Sequence, residues 1–175
     1  SGSIVHFTFR GKSGKTHEID VRDHRVARNI SRMQDLPGEH LFQYLDADGE
    51  PHAIGSEDVN AYLHEIAGEA FTAKDFRTWG GTVLAARHLR ERGPFESQAA
   101  MKTNIVAAID AVAARLGNTR AVCRAAYIHP AVLLGYESGE LCLFACDDAD
   151  EPGLDADERW ALAFLKASSV VSRGS

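Results

Sequence analysis

Two long helical stretches separated by a Gly-Pro pair constrain the fold of this sequence more than any other feature. Thr72 is a residue type that caps helices, and helical composition continues through residues 73–92 until Gly93-Pro94 stops it. A second stretch rich in Ala, Val, Leu and Ile covers residues 96–116 and is closed by Gly117. Two consecutive helices of this length predict a mainly helical core.

Shorter patterns surround these two helices. Residues 4–10 and 17–21 alternate like the strands of a hairpin, and residues 41–45 with the turn that follows predict a third strand partner. Further helices are expected at residues 22–33, from an N-cap at Ser56 to residue 67, and at residues 119–127, 130–134 and 155–170. The predicted buried side of the last helix consists of Trp160, Leu162, Ala163, Phe164 and Ala167.

These patterns predict a mainly α fold with a small antiparallel β-sheet near the N-terminus. We expect residues 1–175 to form one domain, with a β-hairpin region at about 4–45 and a helical region at about 56–170.

The hairpin turn contains two Gly-Lys-Ser/Thr triplets within FRGKSGKT, residues 9–16. A phosphate-binding P-loop would need a glycine five positions before each Gly-Lys pair, and those positions hold His6 and Phe9. A P-loop also leads into a helix, whereas residues 16–21 alternate like a strand. Lys12 and Lys15 are therefore predicted to lie on a hairpin turn and not in a nucleotide-binding loop.

Composition indicates a cytoplasmic protein with an uneven charge distribution. The three cysteines suggest reduced thiols, and neither a signal peptide nor a long apolar segment is present. The net charge of −6 argues against a nucleic-acid partner, but residues 146–160 alone account for it. Residues 1–35 contain seven Lys and Arg against four acids, and residues 115–124 contain three arginines and no acid. A local basic face on an acidic protein is therefore compatible with the sequence.

Four polar residues occur where helices begin or the chain turns: Lys12 on the hairpin, Arg77 in TAKDFRTWGGT, Asn118 in LGNTRAVCRAAY and Tyr127 in AAYIHP. These segments resemble the catalytic boxes of type IB DNA topoisomerases of the bacterial and poxvirus-like kind, and the resemblance spans nearly the whole chain. It implies the catalytic-domain fold shared with tyrosine recombinases. It also implies that Tyr127 is the nucleophile, Arg77 a phosphate-binding arginine and Lys12 the general acid, while Asn118 stands where many relatives have histidine.

The function implied by this resemblance is relaxation of supercoiled double-stranded DNA by transient cleavage of one strand. The intermediate would be a 3′-phosphotyrosyl link, religation would follow, and neither ATP nor a metal ion nor another cofactor would be required. A monomer in the cytoplasm, associated with the nucleoid and not with a membrane, is expected. Residues expected to contact DNA outside the catalytic set are Arg10, Lys15, Lys74, Arg120 and Arg124.

The sequence departs from the family pattern in two respects. The family uses a second catalytic arginine upstream of the hairpin lysine, and that box is not found in this chain; Arg10 does not occupy it. The N-terminal DNA-clamping domain is also expected to be absent. The chain is thus interpreted as a C-terminal catalytic fragment, weak or inactive by itself, with its acid-rich residues 147–158 facing away from DNA.

Two alternatives remain open at the level of sequence. A tyrosine site-specific recombinase would share the nucleophile and the fold, but its arginine box usually has histidine three residues before the arginine, where this chain has Lys74. A non-catalytic DNA-binding module of the same fold would bind duplex DNA with salt-dependent affinity and never form a covalent link.

Overall fold

The computed structural model describes residues 4–11, 14, 16–38, 40–145 and 151–171, with only the backbone described at residues 170 and 171. The chain divides into two compact units, Ser1–Phe71 and Thr72–Ser175. Within the described ranges, no helix has both the length and the apolar character needed to cross a membrane. The helices outweigh two short antiparallel sheets, which confirms the mainly α fold class.

The first unit begins with the predicted hairpin. Strands β1 (Ile4–Arg10) and β2 (Thr16–Arg22) pair antiparallel. Helix α1 (His24–Gln34) follows at once, because the Asp23 carboxylate accepts hydrogen bonds from the backbone N–H groups of Arg25, at 2.7 Å, and Val26, at 3.1 Å. These bonds lower the pKa of Asp23 and fix the start of α1. Both the hairpin and the helix were predicted, with boundaries differing by one or two residues.

The expected third strand of this sheet was wrong. Strand β3 (Gln43–Leu45) pairs with β4 (Pro51–Ala53) in a sheet of their own within the described residues. The reason is local: Asp46 accepts hydrogen bonds from the backbone N–H groups of Asp48 and Glu50 and folds the chain back directly after β3.

Helix α2 (Ser56–Ala67) completes the first unit. Ser56 is its first residue and not its cap, which corrects the sequence prediction by one position. The preceding Gly55 is the cap, and its N–H donates to the Asp58 carboxylate at 2.7 Å.

The second unit is helical throughout its described part. Its elements are α3 (Ala73–Arg92), α4 (Gln98–Leu116), α5 (Arg120–Val122), a π-helical segment (Cys123–Tyr127), α6 (Pro130–Glu137), α7 (Glu140–Leu143) and α8 (Ala156–Val171). The bounds of α3 are those predicted, because Thr72 and Gly93 are strong start and stop signals. Helix α7 was not predicted.

The core of this unit lies between α3 and α4 and is covered by α6 and α8. Its fully or nearly buried apolar residues include Ala85, Ala86 and Leu89 of α3, Ile105, Ile109 and Val112 of α4, Val132 and Tyr136 of α6, and Ala161 and Phe164 of α8. The Tyr136 hydroxyl donates to the Gly93 carbonyl at 2.9 Å and accepts from the Asn104 amide at 2.7 Å, so its polar atom is satisfied inside the core.

Helix α8 is held on α3 by acids from the acid-rich segment. Asp157 accepts a hydrogen bond from Arg90 at 2.5 Å, and Glu158 accepts one from the Trp79 indole at 3.0 Å. The buried residues of α8 are Ala161 and Phe164. Of the side predicted to be buried, Trp160, Leu162 and Ala163 are half-buried, and Ala167 is exposed, which corrects its predicted burial. Residues 147–150 of the acid-rich segment lie outside the described residues.

Candidate active site

The first turn of α3 is organised by a capping box. The Thr72 hydroxyl donates to the Asp75 carboxylate at 2.6 Å, and the Thr72 backbone N–H donates to the same oxygen at 2.9 Å. These two hydrogen bonds lower the pKa of Asp75. With the start of α3 fixed in this way, Arg77 lies in the second turn of the helix.

Arg77 and Asn118 converge on one backbone oxygen. The Arg77 guanidinium donates to the Leu116 carbonyl at 2.8 Å, and the Asn118 amide donates to the same oxygen at 3.1 Å. Leu116 ends α4, where carbonyl groups have no partner within the helix and the helix dipole is negative. Gly117, at a left-handed φ of 67°, turns the chain so that Asn118 reaches back to this carbonyl.

Tyr127 lies against the same arginine. The central carbon of the Arg77 guanidinium is 5.1 Å from the centre of the Tyr127 ring, which is a cation–π contact. Both side chains are partly exposed, so a ligand can reach them from solvent. The structure therefore brings Arg77, Asn118 and Tyr127 together, whereas Lys12 lies outside the described residues.

The backbone around Tyr127 is held by one face of α3. The Thr78 hydroxyl lies 3.0 Å from the Lys74 carbonyl and 3.3 Å from the Ala126 carbonyl, and it can donate to either. One turn later the buried Thr82 hydroxyl accepts the backbone N–H of His129 at 3.0 Å. The chain is thus attached to α3 on both sides of Tyr127.

Gly81 allows α3 and the Tyr127 backbone to approach this closely. A Cβ atom at position 81 would overlap the Tyr127 carbonyl oxygen and would lie 3.3 Å from a methyl carbon of Val112. Thr78, Gly81 and Thr82 were not predicted as positioning residues. The adjacent glycines Gly80 and Gly81 inside a predicted helix were the available signal. Glycine is unfavourable in a helix, and one found there often allows another part of the chain to pack closely.

Tyr127 ends a π-helical segment, Cys123–Tyr127, where a continuous short helix was expected. Such wider turns occur mostly as single insertions in α-helices and often at functional sites. Cys123, at the start of the segment, is fully buried, and burial raises the pKa of its thiol while the charge of Arg77 opposes that shift. A buried thiol of this kind anchors the segment by packing and is a poor nucleophile.

The additional cations predicted to contact DNA have different environments. Lys74 and Arg124 are exposed on the second unit. Arg120 forms a two-point ion pair with Asp110, both contacts at 2.7 Å, which raises the pKa of Arg120. In the first unit Arg10 is exposed and donates to the Gly14 carbonyl at 3.1 Å, and Lys15 lies outside the described residues.

The three clustered side chains can act on an anionic ester. Among the described residues Arg77 donates only to Leu116, so the rest of its five N–H groups are available for a phosphate. Asn118 likewise uses one of its two amide hydrogens on Leu116. The cluster also contains the Tyr127 hydroxyl, a group of a type that can act as a nucleophile. The arrangement therefore combines anion binding with a group that can attack phosphorus.

Comparisons with known proteins agree with this chemistry. The sequence model of the family described as "Eukaryotic DNA topoisomerase I, catalytic core" matches residues 1–138. The chain is also similar to a protein named DNA topoisomerase 1B from Acanthamoeba polyphaga mimivirus, with 31% identity over 136 residues. That match covers 73% of this chain and 40% of the relative, so the chain spans less than half of the length of the relative it matches.

Proposed function

Because the chain belongs to the DNA topoisomerase I catalytic-core family, and is thereby a type IB topoisomerase, we propose that it cleaves and rejoins one strand of duplex DNA through Tyr127. The observation that carries the proposal is the convergence of Arg77 and Asn118 on the Leu116 carbonyl, with Arg77 against the Tyr127 ring. The outcome would be relaxation of supercoiled DNA by a monomer associated with DNA in the cytoplasm.

In the proposed cleavage step the Tyr127 oxygen attacks the phosphorus of a phosphodiester. A P–O bond to tyrosine forms, the P–O bond to the 5′-oxygen breaks, and the phosphate stays on the 3′-oxygen. The phenol gives up its proton to solvent, and the departing 5′-oxygen takes one from Lys12, the proposed general acid. Because the new bond is also a phosphodiester, the reverse reaction rejoins the strand without an energy source.

Arg77 and Asn118 are proposed to stabilise the transition state. Negative charge accumulates on the non-bridging oxygens during attack, and a guanidinium can donate two hydrogen bonds to them while remaining charged. Asn118 adds a neutral donor and cannot transfer a proton, so its role is limited to binding. The second arginine of the family pattern is proposed to lie outside this chain, which makes the chain by itself a weak catalyst.

The proposal is tested with a duplex whose cleaved end is too short to stay paired, so that any covalent intermediate accumulates during a long incubation. Intact mass and peptide mapping of the full chain then locate the DNA. An adduct on the peptide containing Tyr127 supports the proposal. Salt-dependent binding without an adduct would instead indicate a non-catalytic DNA-binding module. Exchange of strands between two duplexes would indicate a recombinase.

Lys12→Ala tests the proposed general acid, which rests on the family resemblance. Ordinary DNA should be cleaved about 10² to 10⁴ times more slowly, the usual contribution of a positioned acid. A substrate with sulfur in place of the 5′-oxygen should be cleaved at nearly the original rate, since a thiolate leaves without a proton. Cleavage rates on both substrates are the measurement, and equal losses on the two would remove Lys12 from this role.

Gly81→Ala tests the contact between α3 and the tyrosine backbone. The added methyl overlaps the Tyr127 carbonyl, so we expect a loss of about 1 to 3 kcal/mol in the free energy of unfolding from overpacking. We also expect adduct formation to slow by about 10²-fold, because displacement of a reacting group by about 1 Å has that effect.

Gly80→Ala is the matched control for this substitution. A Cβ at position 80 meets no atom within 4 Å, and alanine is favoured over glycine in a helix by about 1 kcal/mol. In thermal unfolding, Gly80→Ala should therefore be at least as stable as the original chain, whereas Gly81→Ala should be less stable. Adduct formation should slow in Gly81→Ala and not in Gly80→Ala. Similar rates for both would contradict a positioning role for the close approach at Gly81.

A further inference from the structure

Helix α1 of the first unit has an arginine stripe, defined here as Arg25, Arg28 and Arg32. At 100° per residue, these three positions fall within about 60° of one another around the helix. The opposite side of α1 contains the half-buried Ala27 and the buried Ile30, and α1 contacts both strands of the hairpin. The stripe therefore faces away from the packing side, and all three arginines are exposed.

Arg28 and Arg32 have no acidic partner within the part of the chain that the structure describes, whereas the charge of Arg25 interacts with the Asp23 carboxylate. No side-chain hydrogen bond or ion pair joins any of the three arginines to a described residue. The nearest acid in sequence, Asp23, accepts two backbone N–H groups at the start of α1, and its interaction with Arg25 is a smaller influence on its pKa than these hydrogen bonds. This contrasts with Arg90 and Arg120, which are paired with Asp157 and Asp110.

From these observations we propose that the arginine stripe of α1 binds the phosphate backbone of double-stranded DNA. The occupant follows from charge complementarity and from spacing. With a rise of 1.5 Å per residue, the stripe extends over about 10.5 Å. One strand of B-DNA presents a phosphate about every 3.4 Å along its axis, so about three phosphates fall within this length. The inference rests on the proposed function for the choice of DNA over another anionic partner.

Contacts of this kind add affinity without base preference, because phosphates are the same in every sequence. Each neutralised phosphate contributes about 0.9 to the slope of log K against log salt concentration for duplex DNA. The stripe should therefore strengthen binding of the first unit to any duplex and should make that binding salt-dependent. Its effect belongs to binding and not to the chemical step at Tyr127.

The test measures the affinity of the full chain for a duplex of arbitrary sequence between about 50 and 200 mM salt, the range over which such contacts change affinity strongly. The double substitution Arg28→Gln and Arg32→Gln removes two charges and should reduce the magnitude of the slope of log K against log salt concentration by about 2. It should weaken binding to duplexes of different sequence by the same factor. Glutamine is a good helix former, so α1 should remain intact. Arg25→Gln alone should lower the slope by about 1.

Two further double variants make the result specific. Arg92→Gln with Lys102→Gln also removes two exposed charges. Arg92 is the last residue of α3, about 22 Å along that helix from Arg77, and Lys102 lies in the second turn of α4. This variant should keep the original slope. Arg28→Lys with Arg32→Lys keeps both charges and should restore it. An equal loss of slope in the Arg92/Lys102 variant, or no loss in the Arg28/Arg32 variant, would overturn the inference.

The failure of this inference can be distinguished from failure of the proposed function. If a Tyr127 adduct forms and the Arg28/Arg32 variant keeps the original salt slope, the proposed function is supported and DNA binding by the arginine stripe is contradicted. If the slope falls in the Arg28/Arg32 variant but no adduct forms, DNA binding by the arginine stripe is supported and the proposed cleavage activity is contradicted. If the Arg28/Arg32 variant instead loses only binding to a polyglutamate peptide, the partner is an acidic protein and the inference is wrong.

Discussion

Tyr127→Phe should abolish the covalent adduct completely while DNA affinity changes by less than about twofold. The substitution removes the proposed nucleophilic oxygen. Among the described residues, this oxygen forms no hydrogen bond that would be lost with it. The aromatic ring that Arg77 contacts at 5.1 Å is retained, and a phenylalanine ring is also a partner for a guanidinium. The free energy of unfolding should therefore change little. Adduct formation on the trapping duplex, duplex affinity and thermal unfolding are the three measurements.

Tyr136→Phe is the matched control and should have the opposite profile. Its hydroxyl is fully buried and joins the Gly93 carbonyl to the Asn104 amide, so removing it leaves two polar groups without this partner. A loss of about 1 to 3 kcal/mol in the free energy of unfolding is expected. Adduct formation at a temperature where the variant is folded should persist. An adduct that survives in Tyr127→Phe would assign the nucleophile to another residue.

Arg77→Ala should slow adduct formation by roughly 10² to 10³-fold, equivalent to about 3 to 4 kcal/mol of transition-state stabilisation. The guanidinium is proposed to bind the non-bridging oxygens, and alanine supplies neither the charge nor the donors. The variant also loses the hydrogen bond to the Leu116 carbonyl, so some loss of stability is expected as well. The single-turnover rate at saturating duplex separates the chemical step from weakened binding.

Two substitutions distinguish the role of this arginine from a general effect of charge. Arg77→Lys keeps one positive charge but not the planar fork, so it should recover only part of the lost rate. Arg92→Ala removes a cation about 22 Å along the same helix and should leave the rate unchanged. A rate for Arg77→Ala within tenfold of the original would exclude Arg77 from transition-state stabilisation. A full recovery by lysine would reduce its role to charge alone.

The limits of α3 and the end of α4 were predictable because the residues that set them are local. Thr72 begins α3 through its own hydrogen bonds to Asp75, three residues away, and Gly117 ends α4 in a left-handed conformation that glycine adopts at low cost. The partner of β3 was not predictable from its own residues. The turn at Asp46 places β4 beside β3, and this turn therefore selects the partner of β3. The apolar pattern of residues 41–45 does not contain that information.

The candidate catalytic residues were found in the sequence because the resemblance lies in short boxes around Arg77, Asn118 and Tyr127. Their roles stay predictions, and so does the role of Lys12. The residues that hold the site together were missed for a physical reason. Gly81 and Thr82 act on a backbone 46 and 47 positions further along the chain, and a helical pattern gives no indication of what packs against it.

The amino-acid sequence alone therefore determined the limits of α3, the end of α4, the mainly α class and the family boxes, all of which depend on neighbours within a few residues. Only the tertiary structure determined that Arg77 and Asn118 both donate to the Leu116 carbonyl at the end of α4. It also determined that side chains of α3 hydrogen-bond the backbone on both sides of Tyr127. It also decided which arginines are paired with acids and which, on α1, face solvent. These features require distant parts of the chain to meet, because hydrogen bonds, packing and charge pairing act through space and not along the sequence.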